Sequence, residues 1–231
     1  MISIIIPYQE NPGRQKLIDC TCERIRDLWH INVKQGQGSS HVEIIISKQE
    51  DNNIFHRAWV LNKGARKSEG NLLMFMDGDL ILPDNYFSMI ENNCPIVGWR
   101  RLHMIGPEVT RLYLGKKIGM NGLMSAPNIR KPNIDGNAGG ITIIPRDIFF
   151  ELKGFPEDFK NSWGGEDNTF WHKMEAFGYE FKSIDADVCH LYHEHKTPIK
   201  AGIHEKRHQM GGWIKERWQE RLKEIGDDWG R

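Results

Sequence analysis

Short apolar runs alternate with segments of helical periodicity in the N-terminal third of the chain. The runs cover residues 2–8, 42–46 and 72–76, and they are apolar at nearly every position. Strands that are buried on both faces of a parallel sheet have this pattern. Between the runs, apolar residues recur every three or four positions within residues 18–29 and 58–65. Strands separated by helices predict right-handed β-α-β units, and therefore an α/β fold with a doubly wound sheet.

The pattern weakens between residues 91 and 139, where Gly, Pro and Asn are frequent. There we expect one strand near residues 96–100, followed by a long irregular or partly ordered insertion. Periodicity returns after residue 139 and predicts the remaining elements of the core. These are strands at 140–145, 179–184 and 188–192, a helix at 146–153, and a helix that begins close to Glu166.

A last helix is predicted near the C-terminus by an apolar face that comprises Ile214, Trp218, Leu222 and Ile225. We expect this face to pack on the domain, and docking on a partner protein is the alternative. The chain is thus divided into a main domain at residues 1–205 and a C-terminal helical extension at residues 206–231.

The composition excludes several classes of protein. The chain has 31 Lys and Arg and 31 Asp and Glu, so its formal net charge is zero. A protein that binds nucleic acid through its phosphates usually has a basic excess, which is not found here. No segment approaches the roughly 20 apolar residues of a membrane helix. The four cysteines show no zinc-finger spacing. These features predict a cytoplasmic protein with reduced thiols and no membrane span.

Two acidic residues follow the third predicted strand. Asp77 and Asp79 flank Gly78 at the carboxyl end of this strand, where open α/β sheets bind their ligands. Paired carboxylates suit a hard divalent cation that also contacts phosphate oxygens. We expect the glycine to let the backbone turn and to leave room for a diphosphate. A turn or a helix cap is the structural alternative for the same residues.

Three histidines, His190, His193 and His195, lie where a predicted strand ends. An interval of three suits metal ligation at a strand end, and Asp79 would complete a carboxylate–imidazole set that Mn²⁺ accepts. A solvated loop is the alternative.

The stretch WGGED, residues 163–167, stands directly before a predicted helix. A tryptophan beside glycines can stack on a sugar, and a carboxylate next to it can deprotonate a hydroxyl. The alternative is a helix N-cap with an acidic first turn.

Taken together, these motifs resemble the GT-A glycosyltransferases of the animal β-1,4-galactosyltransferase family. The WGGED stretch is the most diagnostic, and it is also similar to stretches in polypeptide N-acetylgalactosaminyltransferases and chondroitin polymerases. In chain order the resemblance is carried by FHRA (55–58), LNKG (61–64), FMDGDL (75–80), GGIT (139–142), GFP (154–156), WGGED (163–167) and HLYH (190–193).

The resemblance implies a GT-A fold, with a mostly parallel sheet flanked by helices and a C-terminal helical tail. It implies an inverting enzyme that moves a hexose or N-acetylhexosamine, above all galactose or N-acetylgalactosamine, from a UDP-sugar. The acceptor would be a hydroxyl of a saccharide or glycoconjugate. The cofactor would be Mn²⁺, with Mg²⁺ as the alternative.

Roles for individual residues are also implied by the resemblance. Asp167 would be the general base, Glu166 would help to hold the sugars, and Trp163 would line the acceptor site together with Asp167. The metal would be bound by Asp79, His190 and His193. The donor would be bound by Pro7, Tyr8, Arg14, Phe55, Arg57, Asp77 and Gly140, with Phe55 stacked on the uracil ring.

The sequence departs from the family pattern in two places that affect specificity. The family has an arginine-rich turn after its first strand, whereas this chain has QENPGR at residues 9–14, where Arg14 can replace that contact. The stretch DGNA at residues 135–138 replaces aromatic pocket residues. The donor sugar and the acceptor therefore stay open. We expect the Lys-, His- and Gly-rich stretch 195–212 to become ordered over the bound donor.

Other functions are compatible with parts of this pattern. A nucleotidyltransferase that makes a nucleotide sugar would need a glycine-rich phosphate loop after the first strand, and residues 9–13 match that loop poorly. A non-catalytic sugar- or nucleotide-binding protein of the same fold would be expected to lack Asp79 or Asp167, and both are present. A modified DNA base as acceptor is a third alternative, which the zero net charge does not favour.

Overall fold

A computed structural model describes residues 1–34, 41–51, 54–91, 94–126, 139–159, 164–194 and 209–231. The strands are β1 (Ile2–Gln9), β2 (Val42–Gln49), β3 (Leu72–Met76), β4 (Leu80–Ile81), β5 (Ile96–Val97), β6 (Arg101–Met104), β7 (Ile141–Pro145), β8 (Lys182–Ser183) and β9 (Asp187–His190). The helices are α1 (Pro12–Lys34), α2 (Arg57–Lys67), α3 (Pro107–Leu114), α4 (Met120–Met124), α5 (Arg146–Glu151), α6 (Glu166–Ala176) and α7 (Lys215–Ile225). Two 3₁₀ turns cover Tyr86–Met89 and Glu157–Phe159.

A six-stranded sheet with the order β2-β1-β3-β7-β5-β8 forms the centre of the protein. β1 is parallel to both β2 and β3, and β5 is parallel to β8. β7 is antiparallel to its two neighbours, β3 and β5. The sheet is therefore mixed but largely parallel, and the α/β fold class predicted from the sequence is confirmed.

Both faces of the sheet are covered by helices, and the apolar runs explain why. Ile4 and Ile6 point into a core that includes Ile25 of α1, whereas Ile5 points into a second core with Leu61 of α2 and Phe149 of α5. Successive side chains of a strand alternate between faces, so a strand between two helical layers must be apolar at consecutive positions. All three runs in the N-terminal third are strands, as predicted.

A smaller sheet with the order β4-β9-β6 lies beside the main one. β9 is antiparallel to β4, with Leu80 opposite His190, and parallel to β6. The sequence predicts a strand at residues 188–192, but β9 belongs to this second sheet rather than extending the main core. This small sheet places the histidines beside the end of β3.

The middle of the chain is more ordered than the sequence predicts. Its described part contains β6, α3 and α4 where we expected an irregular insertion, and residues 127–138 lie outside the described ranges. Pro107 occupies the start of α3, a position at which proline stabilises a helix because no backbone donor is needed there. The helices are short, so their periodicity is weak. By contrast, the strand predicted at 179–184 is shorter than expected and covers only two residues, Lys182–Ser183.

The C-terminal helix α7 packs on the domain through part of its predicted face. Trp218 and Leu222 are 1% and 8% exposed. Ile214 is 67% exposed, so the prediction that it belongs to the packed face is wrong. Ile214 precedes the helix in an extended conformation, and its side chain therefore does not follow the helical face. The predicted boundary between residues 205 and 206 lies outside the described ranges. No helix among the described residues is long and apolar enough to cross a membrane.

A buried lysine joins α7 to the domain. The Lys173 ammonium group of α6 lies 5.4 Å from the ring centroid of Trp218 and donates hydrogen bonds to the carbonyls of Leu152 and Gly154. Burial lowers the pKa of Lys173 to about 7, although two nearby acidic side chains act in the opposite direction. Lys173 and Trp218 are 2% and 1% exposed, so this contact between α6 and α7 is buried.

Replacing Trp218 by alanine should destabilise the protein by about 3 kcal/mol, because it removes a buried ring and opens a cavity over Lys173. Urea unfolding followed by circular dichroism would measure the change. Ile214→Ala in the same segment is the control, and it should cost about 0.5 kcal/mol or less. Equal effects of the two substitutions would mean that α7 does not belong to the core.

Candidate active site

The predicted site residues meet at one edge of the main sheet, where parallel β1, β2 and β3 end. Asp77 and Asp79 directly follow β3. The backbone N–H of Leu191 donates to the carbonyl of Asp79 at 2.8 Å, which ties the end of β9 to this turn. His190 and His193 are therefore brought to the carboxyl end of β3 although they lie more than a hundred positions further along the chain.

Asp79, His190 and His193 form what we call the metal group. Nε2 of His193 lies 3.1 Å from Oδ2 of Asp79, and Nε2 of His190 lies 3.6 Å from Oδ1. The three residues offer ligand atoms that are all within 4.8 Å of one another. One carboxylate oxygen and two imidazole nitrogens suit Mn²⁺ and related divalent metals, and leave room for water or phosphate ligands.

The polar atoms of the metal group are consistent with such a cation. Asp79 is 3% exposed, and its buried Oδ1 accepts no hydrogen bond from the described residues. Burial would raise the pKa of Asp79, but a hydrogen bond from His193 and the charges of His190 and Arg14 outweigh it and lower the pKa. The carboxylate is thus held ionised in a buried position, as a metal ligand must be.

Arg14 of α1 contacts the same residues. Its Nη2 lies 3.1 Å and 3.2 Å from the two ring nitrogens of His193, and its Nη1 lies 3.6 Å from Oδ2 of Asp79. The side chain of Arg14 is 40% exposed, against 4% for Asp79. The sequence assigns Arg14 to the donor, and the structure brings it to the metal group.

Arg57 is surrounded by what we call the carboxylate group, which comprises Asp77, Glu166 and Asp167. Nε and Nη2 of Arg57 both donate to Oδ1 of Asp77, at 3.0 Å and 2.9 Å, and Nη1 donates to Oε1 of Glu166 at 2.9 Å. Burial disfavours the charge of Arg57, but the three carboxylates outweigh it and raise its pKa above its ordinary range. Arg57 therefore stays charged and ties the end of β3 to the start of α6.

One guanidinium group does not neutralise three carboxylates. Burial and the charge of Asp167 raise the pKa of Glu166 to about 7, although Arg57 pairs with it. Arg57 donates two hydrogen bonds to Asp77 but only one to Glu166. Glu166 is 3% exposed, whereas Asp167 is half-buried. Of these two neighbours, Asp167 is the carboxylate that a ligand can reach.

Gly139 and Gly140 run between Asp77 and Asp167. The N–H of Asp77 donates to the carbonyl of Gly140 at 2.9 Å. A Cβ atom on Gly139 would lie 2.5 Å from Oδ2 of Asp167, so a larger residue would displace that carboxylate. Gly140 has a φ of +91°, which favours glycine. The paired glycines thus allow the backbone to approach both aspartates.

The role of Gly78 differs from the prediction. A Cβ atom there would lie 2.5 Å from Cγ1 of Ile18 and 3.1 Å from Cγ2 of Ile6. The space on this side of the backbone is filled by α1, not left open for a ligand. Gly78 lets α1 pack closely against the turn between the two aspartates.

The C-terminal half of the site has a known sequence pattern. A family model described as the N-terminal domain of galactosyltransferase matches residues 124–197. This stretch contains the paired glycines, both acidic residues at the start of α6 and both histidines of the metal group.

Solved glycosyltransferase structures match the fold of nearly the whole chain. The catalytic domain of Drosophila β1,4-galactosyltransferase 7 with xylobiose matches with a TM-score of 0.64 at 17% identity, over 90% of this chain and 79% of its own. A mutant of that enzyme with manganese, UDP-Gal and xylobiose matches with a TM-score of 0.60 at 16% identity, over 92% of this chain and 79% of its own. GalNAc-T7 with UDP, GalNAc and Mn²⁺ matches with a TM-score of 0.54 at 14% identity, over 95% of this chain and 50% of its own. The chain has the GT-A fold.

The resemblance predicted from the motifs is therefore confirmed: the chain has a galactosyltransferase-like GT-A fold. The motifs at residues 75–80, 139–142 and 190–193 converge at the edge of the sheet. Three predicted parts of the site lie outside the described residues, namely Trp163, residues 135–138 and residues 195–208, which include His195. The roles of single residues stay predictions.

The part of the GT-A site predicted to bind the nucleoside is built from the ends of β1 and β2. Pro7 is half-buried and Tyr8 is buried at the end of β1, and Nζ of Lys48 lies 5.6 Å from the Tyr8 ring centroid. Phe55 is half-buried in the loop that follows β2. All three follow or end strands at the same edge of the sheet, and their contact with a nucleoside stays a prediction.

Gln49 and Trp99 are site residues that the sequence did not reveal. The side chain of Gln49 accepts a hydrogen bond from the N–H of His56 at 2.8 Å and donates to the carbonyl of Ile54 at 3.3 Å, so it holds both neighbours of Phe55. Its place at the carboxyl end of β2, three residues beyond the strand predicted at 42–46, was an available signal. Nε1 of Trp99 donates to the carbonyl of Gly139 at 2.8 Å. No sequence signal marked Trp99, because it lies in the segment of weak periodicity.

The shifted pKa of Glu166 predicts how stability depends on pH. The pKa rises from an ordinary value of 4.5 to about 7 on folding, so the folded state binds the proton more tightly. The contribution of Glu166 to stability must then fall as pH rises from about 4.5 to about 7. Glu166→Gln removes the titratable group and keeps a side-chain oxygen that can accept the hydrogen bond from Arg57. The variant should therefore gain about 1–3 kcal/mol relative to the wild type between pH 5 and pH 8.

Urea unfolding of both proteins at several pH values would measure this difference. Glu180→Gln is the control, because Glu180 is exposed beyond the same helix. A constant difference between Glu166→Gln and the wild type would mean that Glu166 titrates as it does in water.

Proposed function

We propose that the chain is an inverting glycosyltransferase that moves a hexose or N-acetylhexosamine from a UDP-sugar to an acceptor hydroxyl. The observation that carries the proposal is that the metal group and the carboxylate group lie next to each other in the chain. The metal group contains Asp79 and the carboxylate group contains Asp77, with only Gly78 between them. A sugar diphosphate that spans this turn would have its phosphates near the metal group and its sugar near the carboxylate group.

The metal group suits the diphosphate half of such a donor. Asp79, His190 and His193 would hold Mn²⁺, with Mg²⁺ as an alternative that the two imidazoles make less favourable. When bound, the cation would offset the negative charge that develops on the departing diphosphate. Arg14, which contacts this group, supplies a further positive charge for the phosphates.

The carboxylate group suits proton transfer at the acceptor. Oδ1 of Asp167 accepts the N–H of Asn168 at 2.8 Å, while Oδ2 faces Gly139. Asp167 is half-buried and makes no ion pair among the described residues, so it would be the base that removes the proton of the acceptor hydroxyl. Glu166 is buried against Arg57 and would keep Arg57 and Asp77 beside the donor sugar. Direct attack by the activated hydroxyl would invert the anomeric centre without a covalent intermediate.

The donor and acceptor classes are supported by what the structural neighbours bind. The mutant Drosophila enzyme binds UDP-Gal with manganese, and it also binds xylobiose, a saccharide. GalNAc-T7 binds UDP and GalNAc with Mn²⁺. On this basis we propose a UDP-sugar as donor, galactose or N-acetylgalactosamine as the transferred sugar, and a saccharide or glycoconjugate as acceptor. Tyr8 and Phe55 would line the uridine site, with Pro7 beside them and Gly140 next to the sugar.

Thermal unfolding with a panel of UDP- and GDP-sugars, each with and without Mn²⁺, tests the proposal. A ligand that binds only the folded state raises the midpoint of unfolding. One UDP-sugar should raise it by about 5 °C or more at a concentration of about 100 times Kd, and only with Mn²⁺. No shift with any nucleotide sugar would contradict the proposal and favour a non-catalytic protein of the same fold.

Asp167→Asn should abolish transfer and spare donor binding. The amide keeps the hydrogen bond to Asn168 but cannot take a proton, so kcat should fall by about 10²–10⁴-fold. Affinity for UDP with Mn²⁺ should stay within about twofold of the wild type. The matched control is Asp147→Asn, because Asp147 accepts the N–H of the next residue in the first turn of α5 at 2.9 Å. Retention of most of the rate by Asp167→Asn would remove Asp167 from the role of base.

A further inference from the structure

Arg14 contacts the metal group from the solvent side. Its guanidinium lies within 3.2 Å of His193 and within 3.6 Å of Asp79, so it pairs with two of the three candidate ligands. The backbone that carries it is fixed, because Leu17 and Ile18 of the same helix are 3% and 2% exposed. The side chain itself is 40% exposed, so solvent lies beside the guanidinium group. A move of the guanidinium away from these partners would need rotation of an exposed side chain only, with the helix left in place.

A guanidinium ion and a divalent cation compete for the same carboxylate. Arg14 balances the charge of Asp79, which is buried and, among the described residues, is otherwise paired only with His190 and His193. A cation bound by Asp79 and His193 would repel the guanidinium at this distance. That repulsion is removed when an anion lies between the two positive charges. A diphosphate supplies this anion, and the planar guanidinium pairs well with phosphate oxygens.

We propose that Arg14 is a tethered cation that pairs with Asp79 and His193 before metal binding and with the donor diphosphate after it. This inference rests on the proposed function, since it needs a metal and a diphosphate at one site. The proposal goes beyond a contact between Arg14 and the donor, because Arg14 would have opposite effects on the binding of the metal and of the nucleotide. Arg14 weakens the binding of metal alone and strengthens the binding of the nucleotide to the metal-loaded protein. Metal and donor binding are thereby coupled.

Two titrations on the purified full chain test this exchange. The first measures the Kd of Mn²⁺ without nucleotide, from the electron paramagnetic resonance signal of unbound Mn²⁺. The second measures the Kd of UDP at saturating Mn²⁺ by calorimetry. Arg14→Ala and Arg14→Gln should bind Mn²⁺ about three- to tenfold more tightly, because the competing charge is gone. Both should bind UDP about tenfold more weakly, because a charge-assisted contact is lost.

Two further variants separate this role from a general effect of charge. Lys16→Ala removes one positive charge from the same turn of α1 at an exposed position, and both Kd values should stay within about twofold of the wild type. Arg14→Lys keeps the charge but loses the planar fork. Its Mn²⁺ affinity should therefore be near that of the wild type, while its UDP affinity should be reduced.

The outcomes are distinguishable from failure of the proposed function. A wild-type protein that binds neither Mn²⁺ nor UDP would overturn the proposed function itself. A wild type that binds both, with Arg14 variants whose Mn²⁺ affinity is unchanged or weaker, would overturn the exchange. Tighter Mn²⁺ binding with unchanged UDP binding would also overturn it, since Arg14 would then have no contact with the diphosphate. Opposite changes in the two Kd values would support it.

Discussion

The buried carboxylate of Asp79 is the constraint on which the arrangement of the site depends. It lies at the end of a central strand and is 3% exposed, so its charge must be balanced by other parts of the chain. The balancing groups come from α1, in Arg14, and from the end of β9, in His190 and His193. The small sheet β4-β9-β6 is what brings β9 to this point. The same set of groups, with a divalent cation in place of the guanidinium, would be a metal centre.

A second imbalance of charge separates the roles of neighbouring carboxylates. Arg57 donates twice to Asp77 and once to Glu166, and Asp167 makes no ion pair among the described residues. Burial and the charge of Asp167 raise the pKa of Glu166, although Arg57 acts in the opposite direction. Burial distinguishes the two consecutive acids at the start of α6, because their side chains leave the helix in different directions. Glu166 faces Arg57 of α2, and Asp167 faces Gly139. The first helical turn thus presents one buried carboxylate and one accessible carboxylate.

Much of the architecture could be predicted from the sequence. The apolar runs at β1, β2 and β3 identify strands because burial on both faces requires apolar residues at every position. The start of α6 at Glu166 follows from the glycines before it and the periodicity after it. The helices α3 and α4 and the small sheet were missed because they are short, and short elements leave weak periodicity. The exposure of Ile214 was missed because helical spacing does not show where a helix begins.

The fold class and the residue types of the site follow from the amino-acid sequence alone, which also places Asp77, Asp79 and Asp167 next to identifiable elements. It also carried the family resemblance through the order of its motifs. Which of these residues contact one another depends on the packing of the elements in three dimensions. Arg14 pairs with Asp79 rather than standing apart, Gln49 holds the loop of Phe55, and Gly78 makes way for Ile18. Such contacts join residues far apart in the chain, and local patterns carry no information about them because the distances are set by how the sheets and helices pack.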